Sequence, residues 1–293
     1  MMIRERILPT VSCAIALVGT IIINILANTL PIGNFNTGQI SAMYPTLITP
    51  PGITFGIWGV IYAMLIVFVV MQFFRGTAED YGTFTSYFIL SCLFNTVWIF
   101  AWHSQMIVLA TLAIAALFVV LIKLYTLTRE STFVARTTFS IYYAWITIAT
   151  MIALFVLVKT LAGGAPITPI EGRTYGFSDA YSGIILYSGE PEIVSYVTNL
   201  EYVFATLAVI AVAAITIWHF TKFHDYFYVL TIGWAVGGIM VRQLTSVTPP
   251  TYMLIAAVLA ISAILYVVLK YFIDNISRKN LRYAKARKDE NYE

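Results

Sequence analysis

The side chains with the most chemical reach in this sequence are aromatic rings at helical spacing, with single amides among them. Phe55, Trp58 and Tyr62 follow one another at intervals of three and four, as do Asn95, Trp98 and Trp102. Tyr142, Trp145, Ala149 and Ala153 continue the pattern at three, four and four. In a helix each set shares one face. Rings on facing helices can hold a flat apolar molecule, and one placed amide orients it. The small-residue notch at Ala149 admits either such a ligand or a neighbouring helix. Belts of Trp and Tyr also mark membrane interfaces whatever the function. Recurrence of the stripes, with Trp58 and Tyr62 answered by Trp98 and Trp145, favours a shared site.

Other chemistries find little support. His103, His219 and His224 lie too far apart in sequence and side for one metal site, and Cys13 and Cys92 sit in apolar runs as small buried hydrophobes. No metal centre is expected and no cofactor is required. His103, beside Trp102, could ligate haem from outside or make an interfacial hydrogen bond. His219, His224 and Asp225 fall at the end of a span and are expected to be solvated. Glu201 opens one span, where a helix N-terminus favours an acid, and Arg242 closes another as its candidate partner. No nucleophile stands beside a base, and no phosphate loop or carboxylate pair occurs at useful spacing. Almost no charge falls at mid-membrane depth, which argues against a proton- or voltage-driven pump.

The elements that must carry the rings are membrane spans. Over 293 residues the chain is 60% hydrophobic and 11% charged, with a mean hydropathy of +0.84. Soluble proteins carry about a quarter charged residues, so the chain belongs in a bilayer. Apolar runs long enough to cross fall at about 7–30, 52–74, 84–103, 106–127, 138–160, 201–220, 226–243 and 251–273. The first follows Arg4 and Arg6, is too long for a signal peptide and lacks a small-residue cleavage site, so it is expected to be retained. Threading eight spans puts all of the 17 Lys and Arg except Lys159, Arg173 and Arg242 on the side of the termini. The positive-inside rule then makes both termini cytoplasmic. The basic tail from Arg278 to Lys288 fits a topogenic role with weak attraction to anionic lipid better than nucleic-acid binding.

Between the first two spans, Pro31 to Pro51 carries no charge, and an uncharged proline-bounded loop is expected to fold down as a lid. Pro50 and Pro51 stiffen its exit and start the next helix near Pro51. Asn24 and Asn28 share one face of the first span, which should look into the bundle. The fourth span has no polar residue between Met106 and Lys123 except Thr111, which suggests a lipid-facing wall. Gly163 to Asn199 is a long external segment with Glu171, Arg173, Asp179, Glu190 and Glu192, and a hairpin is expected over Thr174 to Ser188. Gly233, Gly237 and Gly238 permit close backbone contact in the seventh span.

Pro50-Pro51 with Phe55 and Trp58-Gly59-Val60-Ile61-Tyr62, Asn95 with Trp98, and Tyr142, Trp145 and Ala149-Thr150 resemble the signature positions of the TspO/MBR family of translocator and tryptophan-rich sensory proteins. The likeness covers about residues 7 to 161. It implies a five-helix bundle whose pocket, closed by the loop between helices one and two, binds porphyrins, sterols and benzodiazepine-type ligands. The positions it places at the ligand are Pro50, Pro51, Phe55, Trp58, Tyr62, Asn95, Trp98, Tyr142, Trp145 and Ala149. Family loops usually carry tryptophans before the prolines, where Tyr44 and Leu47 stand here, and the Leu-Asn of the fifth-helix motif is Ile152-Ala153. The run Trp234-Ala235-Val236-Gly237-Gly238-Ile239 is similar to that of longer, eight-helix members.

The expectation is an all-α polytopic integral membrane helical bundle. A TspO-like five-helix core spans 1–161, an external loop 162–200, three added transmembrane helices 201–275, and a basic cytoplasmic tail 276–293. It resides in the plasma membrane and binds, senses or transports a flat apolar ligand, tetrapyrrole-like or sterol-like, a porphyrin or haem-like molecule included. The alternative is a light- or oxygen-dependent porphyrin-degrading enzyme acting through the same tryptophans. The want of any acid, base or metal constellation favours binding. Expected partners are that small apolar ligand and the lipid bilayer, with no nucleic acid and a homodimer left open.

Overall fold

The chain lacks water to satisfy its backbone across most of its length, so each segment closes its own hydrogen bonds as a helix. The computed structural model describes residues 2–30, 35–44, 46–74, 81–162, 199–244 and 251–290. Its elements are α1 (Met2–Thr29), α2 (Thr37–Met43), a 3-10 turn (Gly52–Gly56), α3 (Ile57–Phe74), α4 (Tyr81–His103), α5 (Ile107–Thr128), α6 (Phe133–Leu161), α7 (Asn199–Phe223), α8 (Tyr226–Leu244) and α9 (Thr251–Glu290). Among the described residues eight helices are long and apolar enough to cross a membrane, all but α2. The sequence-predicted spans match them to within a few residues, and no strand occurs among the described residues. An even count puts both termini on one face of the bilayer, here the terminal face; α2 lies at the other, the lid face.

Five helices close a ring, each packed on two neighbours in the order α1, α3, α6, α5, α4 and back to α1. Toward the terminal face the ring is plugged by Phe68, Phe84, Phe88 and Phe139, whose centroids lie 5.1 to 6.3 Å apart. Edge-to-face pairs at such separations add about 0.5–1.5 kcal/mol each beyond burial. Polar stitches hold the walls, as where Thr20 Oγ1 reaches Cys92 O (3.4 Å) and Thr138 Oγ1 reaches Met64 O (3.3 Å). The helices α7, α8 and α9 pack on one another and join the ring where α8 lies against α6.

Helix α5 is a correction. It was expected to face lipid, yet it is the most enclosed of the eight spans, wedged between α4 and α6 with Ile114, Leu117, Leu121 and Leu124 fully buried. Lipid tails are as apolar as leucine, so uniform apolarity does not distinguish a wall from a centre. The expected external segment 162–200 lies outside the described residues except at its ends, and the hairpin over Thr174–Ser188 lies wholly outside them. The backbone of the basic tail continues α9 as helix to Glu290.

Candidate functional site

Above the phenylalanine plug, toward the lid face, the ring holds the aromatic stripes. Tyr62, Trp58, Trp98 and Trp102 form one run of near-parallel rings, with successive centroids 5.5, 5.9 and 6.4 Å apart and planes within 24°. Trp58 also meets Tyr142 and Trp145 edge-on at 6.0 and 6.5 Å, and Phe55 meets Trp145 edge-on at 5.9 Å. The three stripes read from sequence therefore converge. Phe55 joins from the 3-10 turn, whose entry is set by buried Pro51 at φ −66°, so the helix starts where the prolines require. Ala149 is half-buried against the core, and at Ala153 the notch is taken by α5, where Thr111 Oγ1 donates to Ala153 O (3.3 Å).

The polar groups divide into satisfied and unsatisfied. Asn95 is fully buried and engaged at both ends: its Oδ1 accepts from Asn24 Nδ2 (2.8 Å) and its Nδ2 donates to Tyr142 Oη (3.3 Å). Asn24 Nδ2 also donates to Thr20 O, whereas Asn28 is exposed and bonds back to Asn24 O. Trp145 Nε1 is different. It is buried among the rings and has no hydrogen-bond partner. Tyr62 Oη stands beside the Asn95 amide without closing a hydrogen bond.

The uncharged loop does fold down. Asn36 and Gln39 form a capping box at the start of α2, and Ile40, Met43, Tyr44, Leu47 and Ile48 are buried beneath the loop. Trp102 Nε1 donates to Thr37 O (3.3 Å), and Tyr44 Oη donates to Gln105 Oε1 (3.1 Å) while its ring lies 5.9 Å from Trp102. Burial pushes the Tyr44 phenol up from its ordinary pKa, so it remains a donor. The lid thus roofs the same run of rings.

The added helices grip this lid from the side. Leu47 N donates to Glu201 Oε1 of α7 (3.3 Å), and Gln243 Nε2 of α8 donates to Leu47 O. Trp234 Nε1 donates to Thr54 O (2.9 Å), and Gly238 lies so close to Thr54 and Pro50 that a Cβ there would meet Thr54 Oγ1 at 2.4 Å. Glu201 is itself held by Lys159 Nζ at 3.3 Å, so the acid opening the sixth span pairs with α6. Of the three glycines singled out in α8, Gly238 alone stands where an added Cβ would meet a neighbour.

Two further expectations change. His103 is buried, with Nδ1 on Ile99 O (2.8 Å), so it is a core histidine rather than an interfacial one. His219 and Asp225, expected in water, are buried side by side, because three tyrosines from α5, α6 and α8 close over them. Those tyrosines, Tyr125, Tyr143 and Tyr228, were the sequence signal: polar rings near the same depth of helices that had to be neighbours. Among the described residues no group of His, Cys, Asp and Glu could hold a metal ion.

No curated protein matches this chain, and no solved structure does. A family model described as TSPO-like protein matches residues 10–169, more than half of the chain, and covers the ring from Thr10 onward, the lid and every ring-lining aromatic. The chain is an integral membrane protein that belongs to the TSPO-like protein family.

Proposed function

We propose that the protein binds a flat, largely apolar ligand, tetrapyrrole-like or sterol-like, inside the ring and under the lid, and senses or moves it. The observation that carries this reading is Trp145 Nε1, a buried donor with nothing to bond on a ring set edge-on against Trp58 and Phe55. A buried orphan donor costs about 1–3 kcal/mol, and an acceptor on a bound ligand would recover it. Membership of a family of membrane proteins associated with ligand binding or transport supports the same reading. A flat ligand entering between facing rings needs them about 7 Å apart, twice the ~3.5 Å contact distance. The 5.9 Å between the Trp58 and Trp98 centroids is an upper bound on the gap between their planes, so the two rings must part to admit such a ligand. Pro50, Pro51 and Phe55 lead into the helix that carries Trp58, Tyr62, Trp98 and Tyr142 surround it, Ala149 leaves room at the edge, and Asn95 fixes the framework.

Titrating the detergent-solubilised protein with protoporphyrin tests this. Tryptophan emission should be quenched through Trp58, Trp98 and Trp145, and Trp145→Phe should weaken binding roughly tenfold, the worth of about one hydrogen bond. Trp218, exposed on the outer surface of α7, should be silent. A quench abolished by Trp218→Phe and untouched by Trp145→Phe would place the site elsewhere. Loss of porphyrin colour in light and oxygen that depends on the protein would instead support the degradative reading.

The charge split supports a plasma-membrane orientation with both termini in the cytoplasm, leaving only Lys159, Arg173 and Arg242 outside. Single cysteines at 175 and 285 should label from opposite sides of the membrane; labelling from one side would reject the orientation.

A further inference from the structure

The ring and the added helices also meet at the terminal face, where two cations from different helices share one aromatic side chain. Arg129, one residue beyond the span Ile107–Thr128, sets its Cζ over the Phe223 ring of α7 at 5.1 Å. Lys222, in the last turn of the span Glu201–Phe223, sets its Nζ over the same ring at 5.2 Å and over Trp218 at 5.1 Å. Trp218 and Phe223 stand edge-on at 6.1 Å. Ring faces attract each cation singly. Pinned to one ring centre, the two charges cannot lie further apart than those two distances taken together.

Like charges so placed repel, and at the edge of the hydrocarbon they are screened less than in water. Arg136 of α6 adds a third cation beside Tyr125, whose ring lies 5.9 Å from Phe223. Two carboxylates are near. Glu130 pairs with Arg129 Nε at 3.4 Å, but its side chain is 87% exposed, and a surface pair of that kind holds weakly. Asp225 is buried and engaged inward, its Oδ1 accepting from Phe227 N (3.1 Å) and Tyr228 N (3.2 Å) and its Oδ2 3.7 Å from His219 Nε2. The outer surface of the seam therefore keeps a positive balance, which an anion between Arg129 and Lys222 would relieve.

Depth and neighbours say which anion. Phe204, Leu207, Ala211, Ile215, Trp218 and Lys222 recur at three and four residues along one face of α7, and all six are exposed. In a bilayer such a stripe is covered by acyl chains. From Ala211 to Lys222 it runs about 16 Å, roughly half of the ~30 Å hydrocarbon and so one leaflet deep. A chain lying on Ala211, Ile215 and Trp218 brings its own phosphate to the level of Lys222 and Arg129, with the indole at the interface where indoles collect. Guanidinium groups take phosphate oxygens in pairs, and an ammonium adds a point charge. We propose that this seam binds one anionic phospholipid, its phosphate between Arg129 and Lys222 and one chain along the α7 stripe. A zwitterionic lipid fits less well, because its own ammonium would face the cations of the seam. Since Arg129 belongs to the ring and Lys222 to the added helices, the headgroup fastens one to the other.

The test uses the full chain, without a ring ligand, in nanodiscs of one fixed mixture of phosphatidylcholine and phosphatidylglycerol. Bromine, which quenches an indole on contact, is carried on the chains of one lipid or of the other. Emission of Trp218, taken as the difference between the wild type and Trp218→Phe, should be quenched several-fold more per labelled lipid when phosphatidylglycerol bears the bromine. Trp234, half exposed and bonded to Thr54 O at the lid face, samples the other leaflet and should show no such preference. Arg129→Gln combined with Lys222→Gln should bring Trp218 to parity. Lys123→Gln on the exposed flank of α5, and glutamine in place of Arg282, Lys285 and Lys288 in the tail, should leave the preference standing. Equal quenching by the two labels in the protein with all its charges overturns the proposal, and that comparison needs no charge variant to fold. A preference that survives loss of both seam cations, or that vanishes with those of the tail, overturns it equally. A preference abolished by added glycerol phosphate would overturn the lipid and leave a soluble phosphate as the occupant.

Discussion

Gly238→Ala should unseat the turn that begins α3 and lower stability by about 2 kcal/mol, the usual cost of overpacking a filled interior. The added Cβ would lie 2.4 Å from Thr54 Oγ1, 2.9 Å from Thr54 Cγ2 and 3.2 Å from Pro50 Cβ. None of these can step aside easily. Thr54 is buried and stiff about χ1, and the ring of Pro50 locks its φ. The displaced turn carries Phe55 and leads directly to Trp58, so binding of a flat ligand should fall with stability. Adding Thr54→Ala removes both threonine atoms while keeping the carbonyl that Trp234 bonds, and should recover about half of the loss. Gly233→Ala and Gly237→Ala, which would meet nothing, serve as controls. A Gly238→Ala protein that melts with the wild type would mean that α8 does not press on the lid.

The second large effect is at Asn95. Replacing it with leucine removes the acceptor of Asn24 and the donor to Tyr142 in one step, leaving one N–H of Asn24 in α1 and the Tyr142 hydroxyl in α6 without their partner. Such an orphan costs about 1–3 kcal/mol, while hydrogen bonds between membrane helices average nearer 0.6, so a loss of about 2 kcal/mol is expected in thermal melting. Both ends of the amide are already occupied, so affinity for protoporphyrin should stay within about twofold. An unchanged melt with a tenfold weaker affinity would make Asn95 a reader of the ligand rather than a tie between helices.

The spans and the convergence of the aromatic rings were legible in the sequence for the same reason. A bilayer demands a long apolar run for each crossing, and within a run the spacing of rings survives as a face, so Trp58, Trp98 and Trp145 could be brought together without a structure. What was illegible depended on neighbours. Helix α5 looks like a lipid wall because the inside of a membrane protein and the lipid outside it are chemically alike. His219 and Asp225 looked solvated because they adjoin a loop, and only the closure of Tyr125, Tyr143 and Tyr228 over them removes the water. Lys159 was not paired with Glu201 because the 36 residues 163–198 separate their helices in the chain, and nothing local marks ends that return to each other. The grip on Leu47 was hidden too, since it uses backbone groups, which every residue has.

That grip has a consequence for the order in which the protein is made. Membrane chains emerge N-terminus first at several residues per second, and units close as their parts arrive. The ring and lid are complete once α6 has entered the bilayer, but both backbone groups of Leu47 wait for Glu201 and Gln243, side chains from much later in the chain. For that interval the lid is held to the newly made ring by Trp102 and Gln105, and its last two ties are made only when α7 and α8 arrive.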